Sequence, residues 1–341
     1  MPSHICHALL VEKLLESLDS GSPQVAAVAI LGSQGPDIFL HNHRRKPRAF
    51  RYGALLHRKG NARIISSLAE SAARLDGLPF EELAAFTLGY ISHVWLDRIA
   101  HPYVNYFAGW RGTPDRHPDR PAMHAFLERI IDVQLLRHLR NQSVQEFCFL
   151  ERLPTSSRDL AELRTHIAGA LRSTLRSAGD DTHLETRLAN ALFDSLAYYR
   201  NTESPGSEYF LAARGREKSG TLSPRWLSVI HPPEELLMVD ALNMNRRPWQ
   251  HPCSPSRTSN ASFCDLFDKA LVRTIEVFRL WLVCAREKPL PSPGRLRSLE
   301  EAVGEQNLND GIVGDPPCRR TACDPLPLLE LYHRIKTAFD R

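Results

Sequence analysis

Apolar side chains recur along most of this chain three or four residues apart, which is the spacing of one buried face of a helix. The pattern predicts helices over residues 5–19, 61–75, 80–101, 122–140, 157–177, 182–200, 263–286 and about 326–340. No stretch alternates apolar and polar residues in the way a half-buried strand does. The chain is therefore predicted to be all-α, a multi-helix bundle.

The segments between these helices are rich in proline and glycine and are predicted to be loops, at 109–121, 203–225, 246–262 and 287–325. The last of them is long for a compact domain. We therefore expect one helical domain over 1–286. A loop-rich C-terminal extension over 287–341 would end in a helix and pack on the same domain.

The helix predicted over 80–101 carries the most informative pattern. His93, Asp97 and His101 follow one another at intervals of four residues among apolar neighbours. Side chains four apart lie on one face of a helix, and burying polar groups there is costly unless a partner satisfies them. A divalent cation would satisfy all three, so the pattern predicts a metal site inside the bundle.

A second pair at helical spacing follows, His124 and Glu128, with Asp132 one turn further along. We expect Asp132 to be a supporting or surface acid. Imidazole and carboxylate donors without thiolate favour Zn²⁺, with Mn²⁺ or Fe²⁺ also possible. The donors exceed one tetrahedral site, so two or three ions are expected. Asp97 could bridge two ions, and metals ~3.5–4 Å apart suit phosphoester hydrolysis.

Composition narrows the setting. The chain has 341 residues, 43% of them hydrophobic, and a formal net charge of +4, which is too small to indicate nucleic-acid binding by itself. No apolar run approaches the ~20 residues of a membrane-spanning helix.

Seven irregularly spaced cysteines do not predict a disulfide framework, although Cys318 and Cys323 could form a local pair. A reducing compartment fits better. The first residues also lack a basic signal-peptide region, so we expect a cytoplasmic protein.

These residues, in this order, resemble the zinc-dependent phospholipase C family, whose core is an all-α domain with three zinc ions in a cleft. The family's His-x3-Asp helix, the histidine after it and its His-x3-Glu helix are matched by His93, Asp97, His101, His124 and Glu128. The resemblance covers about residues 1–140 and continues more loosely from Asn243 to the helix end near 286.

Three further positions complete the resemblance. The family's earlier aspartate and histidine look like Asp37, in a Gly-Pro-Asp turn, and His57. Its N-terminal histidine looks like His7, with His4 as the alternative.

The resemblance implies a zinc-dependent phosphodiester hydrolase. It places one zinc on His57, His93 and Asp97, a second on His101, His124 and Glu128, and a third on Asp97, His7 and the chain terminus. The residue at Asp37 would orient or deprotonate the attacking water, or contact a metal itself. A metal-bound hydroxide would attack a phospholipid or another small phosphodiester in line, releasing a phosphorylated headgroup and an alcohol.

The chain departs from the secreted members of that family in three respects. Asp97 and His101 are four residues apart, where those enzymes use a longer step. They also ligate the third zinc through an amine exposed when a leader is removed, and we see no leader here. No all-β lipid-binding module is evident after residue 287.

Two other functions remain open. Single-strand-specific zinc nucleases share the helical core and a similar ligand order, but they need aromatic residues that stack bases. Here Trp95 and Trp281 fall in predicted core helices, so nucleic acid is the less favoured substrate. The chain could also be a helical protein that metal stabilises without turnover.

Overall fold

The computed structural model describes residues 3–18, 22–109, 120–154, 160–203, 228–314 and 318–339. Within these ranges the chain forms fourteen α-helices and one two-stranded hairpin, so the predicted all-α class is confirmed. The helices are α1 His4–Leu18, α2 Pro23–Ser33, α3 Asp37–Leu40, α4 Phe50–Leu56, α5 Asn61–Ala72, α6 Gly77–Ala108, α7 Arg120–Arg140, α8 Val144–Phe147, α9 Ala161–Thr174, α10 Arg176–Gly179, α11 Leu184–Glu203, α12 Phe263–Ala285, α13 Pro293–Val303 and α14 Leu328–Phe339. Short 3₁₀ turns lie at Phe149–Arg152 and Glu234–Leu236.

Each predicted helix coincides with an observed one, but several observed helices were not predicted. The sequence missed α2 because that helix is buried on most sides and has no single apolar face. It missed α13 inside the predicted 287–325 loop, where Ser292 precedes the helix and Pro293 occupies its first turn. Most of the predicted loops 109–121 and 203–225 lies outside the described residues.

The prediction that the chain has no strand is wrong. An antiparallel hairpin forms from β1, Trp249–His251, and β2, Ser254–Ser259. Both strands are short and the register shifts between Gln250 and His251. Alternation over so few residues is too weak a signal to see in the sequence.

The long helix α6 runs through the centre of the fold and packs against α2 and α12. The crossing with α2 is very close, since a Cβ atom on Gly89 would lie 2.1 Å from the Ala29 carbonyl oxygen and one on Gly32 would lie 2.2 Å from that of Phe86. Only glycine allows two helix backbones to meet in this way. The crossing brings the end of α2 against the middle of α6, where the predicted metal ligands lie.

Helix α6 continues beyond its predicted end at residue 101, through Pro102 to Ala108. Proline usually ends a helix because it lacks an N–H group and crowds the preceding turn. Here the residues after it are fixed by the core: the Tyr103 ring packs on that of Phe107, with 4.7 Å between centroids, and the Tyr103 hydroxyl donates to the Ala241 carbonyl at 2.7 Å. Tertiary packing therefore outweighs the local preference.

The C-terminal part of the chain contacts the helical core at several places. Helix α13 packs on α5 and α12, and α14 packs on α7. A disulfide joins Cys253 in the hairpin to Cys318, so the predicted pairing of Cys318 with Cys323 is wrong. The domain division at residue 287 stays a prediction. Among the described helices, none is both long enough and apolar enough to cross a membrane.

Candidate metal centre

Four parts of the fold bring the sequence-predicted ligands together in one buried place. They are α1, the turn that opens α3, the end of α4, and the facing sides of α6 and α7. Each of the eight residues is at most 8% exposed. The eight are His7, Asp37, His57, His93, Asp97, His101, His124 and Glu128.

The carboxylate of Asp97 lies at the middle of this group, fully buried. Its Oδ1 lies 3.4 Å from Nε2 of His7, and its Oδ2 lies 3.2 Å from Nε2 of His93. The same Oδ2 lies 4.0 Å from Nε2 of His57 and 3.9 Å from Nδ1 of His101. The two oxygens therefore face different imidazoles, which is the arrangement a carboxylate needs to contact two cations.

The donor atoms fall into three adjoining groups, within each of which all atoms lie within 4.8 Å of one another. The groups are His7 with His93 and Asp97, Asp37 with His57 and His93, and His101 with His124 and Glu128. The third set is the one that the resemblance assigns to a second zinc. The resemblance left the role of Asp37 open between water and a metal. Its carboxylate lies 3.1 Å from Nε2 of His57, so the two groups are close enough to bind the same cation.

The buried polar atoms at the centre lack partners of their own. Within the described residues, no hydrogen bond reaches either ring nitrogen of His7, Nε2 of His93 or either carboxylate oxygen of Asp97. An unsatisfied buried polar group costs about 1–3 kcal/mol, and more when it is charged. Lone pairs of imidazole and carboxylate that converge without donors fit a divalent cation such as zinc.

Burial sets the protonation of these groups. It lowers the pKa of His7 and of His101, so both imidazoles are neutral and able to act as ligands. Burial also raises the pKa of Glu128 to about 8. Burial acts to raise the pKa of the Asp97 carboxyl. The adjacent imidazoles of His93 and His101 outweigh that effect and hold this pKa well below its usual value. Asp97 is therefore the charged anion of the centre.

Backbone carbonyls orient three of the imidazoles. The Nδ1 atom of His57 lies 2.7 Å from the Gly53 oxygen, and that of His93 lies 2.9 Å from the Ser33 oxygen. His101 makes the same kind of contact through Nδ1 with the Leu308 oxygen. An Nδ1–H that donates to a carbonyl leaves the Nε2 lone pair available to a metal. Sequence reasoning missed these partners because a carbonyl group has no residue signature.

A glycine shapes the approach of Asp37. Gly35 has φ +50°, and a Cβ atom there would lie 2.4 Å from Cγ of the His93 ring. Any other residue would be strained and would displace the imidazole. Pro36 follows, and Asp37 opens α3 with its carboxylate against His57. The Gly-Pro-Asp turn therefore places an acid in the centre.

Comparison with known proteins gives one match. The family model described as zinc dependent phospholipase C matches residues 6–172. These residues belong to the zinc-dependent phospholipase C family. All eight side chains of the metal centre lie within this phospholipase C segment, and the match supports zinc-dependent hydrolysis as the general kind of reaction. No curated protein and no solved structure matches the chain.

A segment far outside the phospholipase C segment also supports the centre. Leu308 donates its N–H to the His57 carbonyl at 2.8 Å, while its own oxygen faces His101. The Asn309 amide donates to the same His57 oxygen at 3.2 Å, and Asn105 donates to the Asn309 oxygen at 2.8 Å. The sequence signal for this role is Asn307, Asn309 and Asp310, since Asn and Asp are typical of hydrogen-bonded turns.

A second buried cluster, which shares helices α1 and α7 with the metal centre, contains His4. Its Nε2 lies 3.0 Å from Oε1 of Glu203, and its Nδ1 lies 3.0 Å from Nη1 of Arg129. His231 bridges two acids, with Nδ1 3.3 Å from Glu203 and Nε2 2.9 Å from Asp132. The structure thus puts His7, rather than His4, against Asp97. We name the five residues the His4 cluster.

Proposed function

We propose that this protein is a zinc-dependent phosphodiester hydrolase of the phospholipase C type, which cleaves a phospholipid or a related small phosphodiester. The family supports the kind of reaction. The observation that carries the proposal is Asp97, a fully buried acid whose two oxygens face His7 and His93 and accept no hydrogen bond from the described residues. Burying such a carboxylate is costly unless cations bind to it.

Two to three zinc ions would be held by the three donor groups, with Asp97 and His93 at their junction. Zinc in such a site acts as a Lewis acid on a phosphoryl oxygen and lowers the pKa of water. The protein contributes imidazoles that are fixed in orientation by the Gly53, Ser33 and Leu308 carbonyls. It also keeps bulk water out of a centre whose donors are nearly all buried.

Asp37 is the residue we assign to the attacking water. Burial acts to raise the pKa of its carboxyl, but the facing His57 and the nearby His93 outweigh that effect, so the pKa lies below its usual value. Asp37 is therefore ionised at neutral pH. An ionised carboxylate held rigidly at the centre can orient a water molecule and accept its proton.

The tryptophans that the structure describes make the nuclease alternative less favoured. Trp95, Trp249 and Trp281 are all buried. A base that stacks needs an accessible ring face, and these three do not offer one. We therefore expect a substrate bound through its phosphate rather than through a base.

The experiment compares metal content and substrate range. We expect purified, zinc-loaded protein to contain at least two zinc equivalents by elemental analysis and to hydrolyse phosphatidylcholine faster than single-stranded DNA. The double variant His93→Ala with His124→Ala should lose most of the zinc and the activity. His138→Ala, an exposed histidine of the same helix α7, should keep both.

The outcomes separate the alternatives. Faster cleavage of single-stranded DNA would favour the nuclease. Full zinc content without turnover on a broad phosphoester panel would leave only metal stabilisation. The cytoplasmic location stays a prediction, and the Cys253–Cys318 disulfide is a feature more typical of oxidising compartments.

A further inference from the structure

Helix α6 borders a second pocket on the side away from the metal centre. Trp95 and Ile99 each follow a candidate ligand by two residues, which turns them about 200° round the helix from His93 and Asp97. Together with the hairpin, α12 and the segment after α13, they enclose a pocket of about 320 Å³. Small-ligand sites typically have volumes of about 300–1,000 Å³.

The charge of this pocket is one-sided. Its lining includes four basic side chains and no Asp or Glu. The four are Arg98, Arg257, Lys269 and Arg273. Arg257 on β2 and Lys269 on α12 are exposed, and neither forms an ion pair or hydrogen bond with any described residue. Two positive charges therefore face the opening without compensation.

The other two cations are held in place. The guanidinium of Arg273 lies over the Trp95 ring, 4.6 Å from its centroid, and pairs with Glu276 at 2.7 Å. Arg98 is buried and donates to the Gln306 oxygen at 2.8 Å and to the Gly304 oxygen at 3.0 Å. These contacts fix both groups at the inner wall of the pocket.

The two carboxylates nearby act on Arg273 and Arg98, and neither pairs with Arg257 or Lys269 among the described residues. Glu276 forms an ion pair with Arg273. Burial lowers the pKa of Arg98 to about 10, although the nearby Glu305 acts to raise it. Arg98 therefore stays protonated at neutral pH.

The histidine of the pocket is committed elsewhere. His251 directs Nε2 at the Asp310 oxygen, 3.0 Å away, and accepts the Cys253 N–H on Nδ1 at 3.2 Å. It is neutral, since burial lowers its pKa. The cations that remain available to a ligand are thus Arg257 and Lys269, with the buried charge of Arg98 behind them.

We propose that this pocket binds a phosphate group. Convergent Arg and Lys side chains match the charge and the acceptor oxygens of phosphate, and the hydroxyl groups of Thr258 and Ser259 line the same pocket. The ligand could be a free phosphate ion or the headgroup of a phospholipid at a membrane surface. The site is separate from the metal centre and does not depend on catalysis there.

Two variants of equal charge test the proposal. Arg257→Ala with Lys269→Ala removes the two uncompensated cations of the pocket. Arg279→Ala with Arg297→Ala removes two exposed arginines of α12 and α13 that line no described pocket. Circular dichroism and thermal unfolding should show that both proteins fold like the parent.

Two probes identify the source of the phosphate. The binding of inorganic phosphate to zinc-loaded protein is measured by calorimetric titration. Phosphate that binds at the zinc centre would bind there in both variants, so a difference between the variants is due to the pocket. Sedimentation on ice with phosphatidylcholine vesicles, with or without phosphatidic acid, tests the headgroup. We expect the pocket variant to bind one of these probes at least about tenfold more weakly than the parent, and the control to bind like the parent.

Loss with inorganic phosphate identifies a free ion, and loss confined to phosphatidic acid vesicles identifies a headgroup. Equal binding of both probes by the parent and the pocket variant would overturn the proposal. Equal weakening in the two variants would overturn it as well, because the effect would then be one of net charge.

Discussion

The metal centre and the His4 cluster are built from the same residue types and share helices α1 and α7, yet their charges are balanced differently. In the His4 cluster, Arg129 places Nη1 3.3 Å from Glu203 and 3.0 Å from His4. The cluster thus contains its own cation. In the metal centre the eight side chains include no Arg or Lys, so the compensating charge has to come from outside.

Hydrogen bonding shows the same contrast. Asp132 accepts the Cys6 N–H at 2.8 Å and lies 2.9 Å from His231. Burial acts to raise the pKa of Asp132, but the contact with His231 outweighs it and holds the pKa at about 2. Asp97 is as deeply buried, but neither of its oxygens makes a hydrogen bond to any part of the chain that the structure describes. A group of histidines and acids therefore indicates a metal only when no internal donor already satisfies the acids.

The contrast predicts that equivalent changes in the two clusters have different results, and the largest effect is expected at Asp97. Asp97→Asn removes the charge that faces two donor groups. Even residues that only support a metal ligand typically cost about 10–100-fold. We therefore expect Asp97→Asn to lower hydrolysis by more than about 100-fold and to reduce zinc content more than any single histidine variant.

Asp132→Asn is the matched control, an acid of equal burial in the His4 cluster. It should keep zinc content and hydrolysis per folded molecule. Elemental analysis and initial rates measure both variants. An Asp97→Asn protein with full zinc content and full rate would show that Asp97 bridges nothing.

The Asp37→Asn variant tests whether this acid of the metal centre takes part in the reaction or binds a metal. Asp37→Asn should lower kcat by about 10²–10⁴-fold if the carboxylate takes the proton of the attacking water. KM, zinc content and thermal stability should change little in that case. If zinc content falls in parallel with the rate, Asp37 is a metal ligand. If the variant is fully metallated and still fast, Asp37 has only a structural role in the Gly-Pro-Asp turn.

The smallest effect on turnover, and the largest on stability, is expected in the His4 cluster. Arg129→Met leaves Glu203 buried without its guanidinium, and removing one partner of a buried ion pair costs about 3–5 kcal/mol. Urea unfolding of the zinc-loaded protein should show this loss, while zinc content stays unchanged. Arg140→Met, which breaks half-exposed contacts of the same helix, should cost no more than about 1 kcal/mol.

If Arg129→Met instead leaves stability unchanged, the guanidinium does not compensate the cluster. A gain of an additional zinc equivalent in that variant would show that the two clusters differ by this one residue alone.

Much of the fold could be read from helical periodicity. The long helices α1, α5, α6, α7 and α12 were predicted within a few residues of their observed starts, because each is long enough for apolar positions to repeat several times at the helical period. Short helices and the hairpin were missed because their residues give too few repeats for a period. The course of α6 beyond Pro102 was missed because packing around Tyr103 outweighs the local rule.

For the metal centre, the sequence by itself determined which side chains share a helix face, since His93, Asp97 and His101 are set by a spacing of four. Only the tertiary structure decided which faces meet. It put His7 against Asp97 while His4 went to Arg129, and it brought the Leu308 carbonyl to His101 across more than 200 residues of chain. Local spacing is fixed by the geometry of the helix, whereas which of two nearby histidines meets Asp97 depends on how α1 packs against the neighbouring helices.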